Sequence, residues 1–313
     1  SEAFWKRIMF EAGSPGRWCD LVDVQGEMEM QRVTGFVLAR SAVLCMAGLV
    51  SLGSVGQALA AGLVPHRAIY DMELDRAADG TGISALNGRM VYEFSGSACE
   101  GYSVTFRFVT EFQDVSGASQ VTDLRSSSFE NPKDASFQFL SKTYVDQKLV
   151  EKTRGTARQG DGAKTVELQE PGERALTISG ETLYPTEHLN KIINAARTGK
   201  SFLAADVYDG SETGDKVYAT TAVIGPSRTE DVPLSDEPSA DVSRLKQAEA
   251  WPVTIAYFDP AQDQEGEEMP VYQMTFLLYD NGISRQLKMD YGQFSLRGKL
   301  RQLELQEETG CTN

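Results

Sequence analysis

GRMVYEFSGSACEGYSVTFRFV, residues 88–109, holds two stretches of alternating side chains joined by a turn rich in Gly and Ser that carries Cys99. In the second stretch Tyr102, Val104, Phe106 and Phe108 fall on one face, and Ser103, Thr105 and Arg107 on the other. A period of two is what a strand with one buried face requires. The segment reads as a β-hairpin that founds a sheet, with its cysteine placed to tether something distant.

The pattern spreads in both directions. VPHRAIYDMEL (64–74) alternates and reads as a first strand, with a polar loop over 75–87 before the hairpin. After a turn region over 112–119, residues 120–130 form a strand that is polar outside, either half solvated or on an edge. Asn131-Pro132-Lys133-Asp134 marks a turn. Strands follow over 136–144, 147–158, 163–169 and 175–178. Beyond residue 200 they resume over 201–208, 216–224, 251–258, 271–279, 283–289 and 294–305. Asn281-Gly282 between apolar runs predicts a tight hairpin. Residues 228–248 and 259–268 are acidic, lack a clean period, and read as long exposed loops.

One segment departs from the strand period. In YPTEHLNKIINAARTG (184–199), Leu189, Ile192, Ile193 and Ala196 recur at helical spacing, with Pro185 and Thr186 at the start and Gly199 just past the end. A single amphipathic helix in a β protein serves as a plug or lid. Short alternating segments without βαβ spacing predict an all-β, mainly antiparallel fold. About a dozen strands and one main amphipathic helix make one domain over 62–313, and closure into a barrel would remove the edges of so long a sheet.

The first sixty residues read differently. From Met30, Arg32 and Arg40 give a basic start, 41–55 an apolar run, and Ala58-Leu59-Ala60 a small-residue cleavage pattern. That is the layout of a secretory signal peptide over 30–61. The apolar run is short and broken by Gly48, Gly53 and Gly56, so no transmembrane span is expected after cleavage. Residues 1–29 are read as a non-native or upstream leader, since Glu27 and Glu29 carry the wrong charge for a signal start.

The full chain of 313 residues has a formal net charge of −15; removing 1–61 takes away five basic and six acidic residues and leaves −14. Such a surface repels phosphate backbones, so nucleic acid is not an expected partner. The same cut removes Cys19 and Cys45 and leaves Cys99 and Cys311. For an exported chain an intramolecular disulfide is the preferred reading, beside two free thiols or a bond between chains.

Candidate chemistry is sparse. The two histidines, His66 and His188, have no Cys or His at zinc spacing, so no metal and no cofactor are expected. His188 falls in the first turn of the helix, where capping or packing is favoured over a general base. The string Gly53-Ser54-Val55-Gly56 lacks nucleophile-elbow spacing, and no catalytic residue is assigned. The acidic run 259–268 lacks the ordered spacing of a calcium loop. Phe94, Tyr102, Phe106, Phe108, Phe137, Phe139 and Phe276 have two readings: they fill a core, or they line a cavity open to an acyl chain.

Four strings, LVPHRAIYDMEL (63–74), GRMVYEFSGSACEGYSVTFRFV (88–109), YPTEHL (184–189) and VYDGSE (207–212), resemble the EipB family of cell envelope integrity proteins of alphaproteobacteria. The resemblance implies a periplasmic protein whose strands wrap into a spiral-like, overlapping β-barrel. It also implies a disulfide between the residues matching Cys99 and Cys311. The implied role is maintenance of the envelope without catalysis, by binding an apolar ligand, a lipid, a lipoprotein or a periplasmic protein partner. An envelope-directed hydrolase is the alternative.

Overall fold

The computed structural model describes residues 62–228, 237, 243–245, 248–261 and 269–307. The expected leader, the signal segment, most of the two acidic loops and Cys311 lie outside the described residues. Among the described residues fourteen strands form one antiparallel sheet. The first eight are β1 (His66–Ala77), β2 (Ile83–Ser97), β3 (Gly101–Asp114), β4 (Ser119–Asn131), β5 (Ser136–Val145), β6 (Lys148–Gln159), β7 (Ala163–Glu170) and β8 (Arg174–Ser179). Helix α1 (Pro185–Arg197) follows. The chain then adds β9 (Phe202–Val207), β10 (Tyr218–Ile224), β11 (Ala250–Phe258), β12 (Tyr272–Tyr279), β13 (Ser284–Asp290) and β14 (Phe294–Leu305).

The founding hairpin is present. β2 and β3 pair from Ile83↔Asp114 to Ser97↔Gly101, around a turn at 98–100. The expected polar loop over 75–87 shrinks to 78–82, because Ile83 and Leu86 are buried in the core and hold β2 in the sheet five residues earlier. β4 is half solvated but is not an edge, since β3 and β5 flank it. At Asn281-Gly282 a three-residue loop replaces the shortest turn. The Gly282 N–H donates to Tyr279 O at 3.0 Å and the Tyr279 N–H to Ile283 O at 2.9 Å, with Gly282 at φ 87°.

The strand order is β8-β7-β6-β5-β4-β3-β2-β1-β14-β13-β12-β11-β10-β9. Two meanders therefore meet where the first strand pairs with the last, and β8 and β9 become the two edges. The chain joins those edges directly through 180–201. Laid flat, fourteen strands about 4.8 Å apart would separate β8 from β9 by roughly 60 Å. The connection has thirteen helical residues, and nine others lie between β8 and β9. Those lengths reach about 20 Å and at most roughly 30 Å respectively. The sheet has to roll up.

It rolls past closure without hydrogen-bonding shut. Leu183 pairs in parallel with Val207 at the end of β9, and residues 208–214 then cross the inner face of β5 to β7. The Thr153 hydroxyl of β6 donates to the Glu212 carbonyl. A Cβ at Gly210, where φ is 67°, would lie 2.4 Å from the Phe139 ring, so only glycine lets the crossing segment lie so close. A second small core, containing Phe137, Phe139, Leu168, Tyr184 and Tyr208, seals this overlap. The expectation that closure removes both edges is corrected: β8 and β9 do not pair with each other, and one parallel bridge, the Thr153 hydrogen bond and packing join the two ends.

Helix α1 lies across one end of the roll, burying Ile192, Ile193 and Ala196 in the main core. Its N-cap residue, Tyr184, makes no side-chain cap. Glu130 of β4 takes over, accepting the Thr186 and Glu187 N–H groups at 2.8 Å each. A carboxylate there satisfies two orphan donors and meets the positive end of the helix dipole. Lys164 of β7 is buried beside it, donates to the Thr182 carbonyl and lies 4.2 Å from the centre of the Tyr184 ring. β4 and β7 thus fix the start of the helix.

Of the expected exposed loop over 228–248, Arg228, Ser243 and Arg244 are exposed, but two described residues turn inward. Leu245, in a 3₁₀ turn at Ser243–Leu245, is buried, and Glu237 reaches inward to the guanidinium of Arg285 on β13. The side chains are only 1% exposed for Arg285 and 6% for Glu237.

Candidate functional site

The rolled sheet is hollow on one side. A cavity of about 400 Å³ lies between the inner faces of β3 to β5, the start of α1, the crossing segment 209–212 and β12. Its origin is a change in side-chain size. Inward positions of β4 and β5 carry Thr122, Ser126, Ser128, Ser141 and Thr143, too small to reach the opposite wall. Phe106 and Val104 point inward with the buried Phe108, yet are only half-buried, because the space before them is empty.

Pro185, Thr186 and Leu189 of α1 line the cavity, as do Phe137 and Phe139. Elsewhere the wall is rich in tyrosine. Tyr218, Tyr272 and Tyr291 line it, and Tyr257 stacks on Tyr272 at 4.3 Å between ring centres with an interplanar angle of 9°. Tyr218 and Tyr291 continue the row, 6.2 Å from Tyr257 and 6.0 Å from Tyr272. The Tyr218 hydroxyl donates to Glu212 at 2.9 Å. Burial pushes the phenols of Tyr257 and Tyr272 well above the usual range, so these two are neutral at physiological pH. Among the lining residues there are three carboxylates, Glu151, Asp209 and Glu212, and no Lys or Arg.

Of the seven aromatic residues expected to line a cavity, Phe106, Phe108, Phe137 and Phe139 do so. Phe94, Tyr102 and Phe276 do not. Phe94 is buried and stacks on Tyr102 at 5.4 Å beside His66, and Phe276 is part of the main core. The tyrosines of β10, β12 and residue 291, and the methionines Met274 and Met289, were not foreseen. The signal that could have found the site is the triplet Ser126-Ser127-Ser128: a strand with neighbours on both sides and serine at its inward positions faces a void.

Neither histidine is set up for chemistry. His66 Nδ1 lies 2.7 Å from the Val64 carbonyl and is buried among aromatic rings. His188 Nε2 lies 3.3 Å from the Thr220 hydroxyl, which already donates to the Ala205 carbonyl at 2.7 Å. That leaves the imidazole N–H as the donor of the first contact, so His188 does not activate Thr220. Among the described residues no group of three His, Cys, Asp or Glu is placed to hold a metal. No helix among them is long and apolar enough to cross a membrane.

Burial, reinforced by Lys191, lowers the His188 pKa from 6.5 to about 4. A depressed histidine binds its proton better in the unfolded chain. Its contribution is therefore complete above pH 6.5 and is lost as the pH falls toward 4, by up to roughly 3 kcal/mol. Burial shifts His66 the same way, whereas Glu130, raised by desolvation, favours the folded state when protonated and opposes the loss. Urea midpoints should fall between pH 7 and pH 4.5, and His188→Gln should fall less than the native chain over the same interval. An equal fall in both would exclude His188 as the cause.

Cys99, at the tip of the β2–β3 hairpin, is disulfide-bonded. Its expected partner Cys311 lies outside the described residues.

The family described as EipB-like matches residues 57–307. The chain belongs to that family. A relative, the cell envelope integrity protein EipB of Brucella abortus (strain 2308), is 46% identical over 264 residues, covering 83% of this chain and 92% of its own length. A crystal structure of a beta-barrel-like protein, of a domain of unknown function from Brucella abortus, superposes with a TM-score of 0.74 at 46% identity. It covers 79% of this chain and all of the other. Membership in the EipB-like family supports a role in cell envelope integrity. The beta-barrel-like relative matches the rolled antiparallel sheet.

Proposed function

We propose that this EipB-like protein works in the periplasm, after removal of 30–61, as a non-enzymatic carrier or sensor that holds the apolar chain of an envelope amphiphile inside its roll. The observation that carries the reading is the cavity: about 400 Å³, walled mostly by apolar and aromatic side chains, and left open by inward serines and threonines. That size is within the range of small-molecule sites, and burial of a chain there contributes about 0.8 kcal/mol per methylene. The same reading includes the Cys99–Cys311 disulfide as the fastening of the C-terminal tail. It includes an apolar ligand or a periplasmic envelope protein as partner.

The test is native mass spectrometry of protein purified from the periplasm. The native chain is expected to carry a co-purified apolar mass. Ser126→Trp, which fills the cavity from β4, is expected to arrive without it while keeping the same far-ultraviolet circular dichroism. An empty native protein that also fails to take up any added aliphatic chain would sink the carrier reading.

A further inference from the structure

The polar end of the cavity carries more information than its apolar walls. The lining residues hold carboxylates but no cationic side chain, and the full chain carries a net −15, so a ligand ending in carboxylate or phosphate would enter against repulsion from both. The three carboxylates are not equivalent. Glu212 is neutralised by Lys216, whose ammonium is 2.8 Å away and also pairs with Asp259 at 2.8 Å. Asp209 lines the cavity and accepts the Ser211 N–H at 2.9 Å, and among the described residues no Lys or Arg forms an ion pair with it.

Asp209 also faces the tyrosine row. Its charge is close enough to disfavour ionisation of Tyr208, Tyr257 and Tyr272. Tyr218, Tyr272 and Tyr291 all line the same space as Asp209, and Tyr272 and Tyr291 stack in one row with Tyr257 and Phe294, so their faces meet neighbouring rings. A carboxylate with no Lys or Arg among the lining residues, in a space walled mostly by apolar and neutral aromatic groups, is the chemistry that pairs with a desolvated cation, and an alkylated ammonium, being weakly hydrated, suits it best.

Resting on the reading of the cavity as an apolar-chain site, we propose that it selects amphiphiles whose head is cationic, seating an ammonium against Asp209 beside Tyr218, Tyr272 and Tyr291. Chains of the same length that end in an anion are rejected.

The experiment is isothermal titration of the full protein, each probe below its micelle concentration, with decyltrimethylammonium, decanoate and the uncharged decyl glucoside. Decyltrimethylammonium is expected to bind about tenfold more tightly than decanoate, with the glucoside between them. Asp209→Asn keeps an oxygen acceptor for the Ser211 N–H, and is expected to abolish most of the preference by bringing decyltrimethylammonium toward the affinity of the glucoside. Equal binding of all three probes, or a preference for decanoate, would overturn the head-group assignment and leave the apolar-chain reading intact. Binding of none would overturn both. A preference that survives in Asp209→Asn would overturn the role of that carboxylate.

Discussion

Glu237→Ala is expected to destabilise the protein by about 3–5 kcal/mol, with Glu237→Leu/Arg285→Met together costing far less. The asymmetry follows from what each change leaves behind. Arg285 is the largest fully buried side chain, and its Nε donates to Glu237 at 2.6 Å while another guanidinium nitrogen donates to the Tyr279 hydroxyl at 2.7 Å. The other oxygen of Glu237 accepts the Leu300 N–H of β14 at 3.0 Å. Removing the carboxylate alone strands a guanidinium and a backbone donor inside the sheet. Removing both charges leaves the Leu300 N–H and the Tyr279 hydroxyl without these partners but strands no charge, and it supplies apolar volume. Urea unfolding of the two single variants and the double variant measures the coupling directly. A single Glu237 substitution within 1 kcal/mol of the native chain would show that the pair is wet. The pair also ties Glu237, which lies in the chain between β10 and β11, to β13 and β14.

That pair shows where the sequence could be read and where it could not. The strands were legible because most of them keep one buried face, and the alternation at Tyr102, Val104, Phe106 and Phe108 is written in a single segment. Helix α1 was legible because its apolar spacing and its terminal Pro and Gly are local. Glu237 was not, because its reason for being buried is 48 residues away on β13. A signal did exist on the other side. Arg285 falls in the inward phase of Ile283, Arg285, Leu287 and Met289, and a charge in that phase requires a partner. The cavity divides in the same way. Aromatic residues on β3 and β5 were found by their period, but Phe94 and Phe276 have the same period and pack into solid core. Which inward residue meets a neighbour and which meets a void depends on the size of side chains across the roll, and on the crossing segment 209–212. Neither is encoded in the strand that carries the aromatic residue. Glu130 is a third case: Pro185 and Thr186 mark the helix start locally, while the cap comes from β4, more than fifty residues earlier.

Loss of the proposed Cys99–Cys311 disulfide is expected to lower stability by up to roughly 5 kcal/mol, since that bond would close a loop spanning most of residues 62–313. The register supports that partner. His66 of β1 is opposite Phe94 on β2 and also opposite Leu305 on β14. Both flanking strands are antiparallel to β1, so they run in the same direction, on opposite sides of it and about 10 Å apart. Cys99 comes five residues after Phe94, and Cys311 six residues after Leu305. The two cysteines thus follow the shared level at nearly equal distances along the chain, as the proposed bond requires. Such a bond would hold β14 against β1, the junction of the two meanders. Cys99→Ser and Cys311→Ser should lower the melting temperature equally in the oxidised protein, the double variant should be no worse than either, and reduction should bring the native chain to the same value. Unequal single variants, or a native chain indifferent to reductant, would separate the two cysteines and leave the tail fastened by something else.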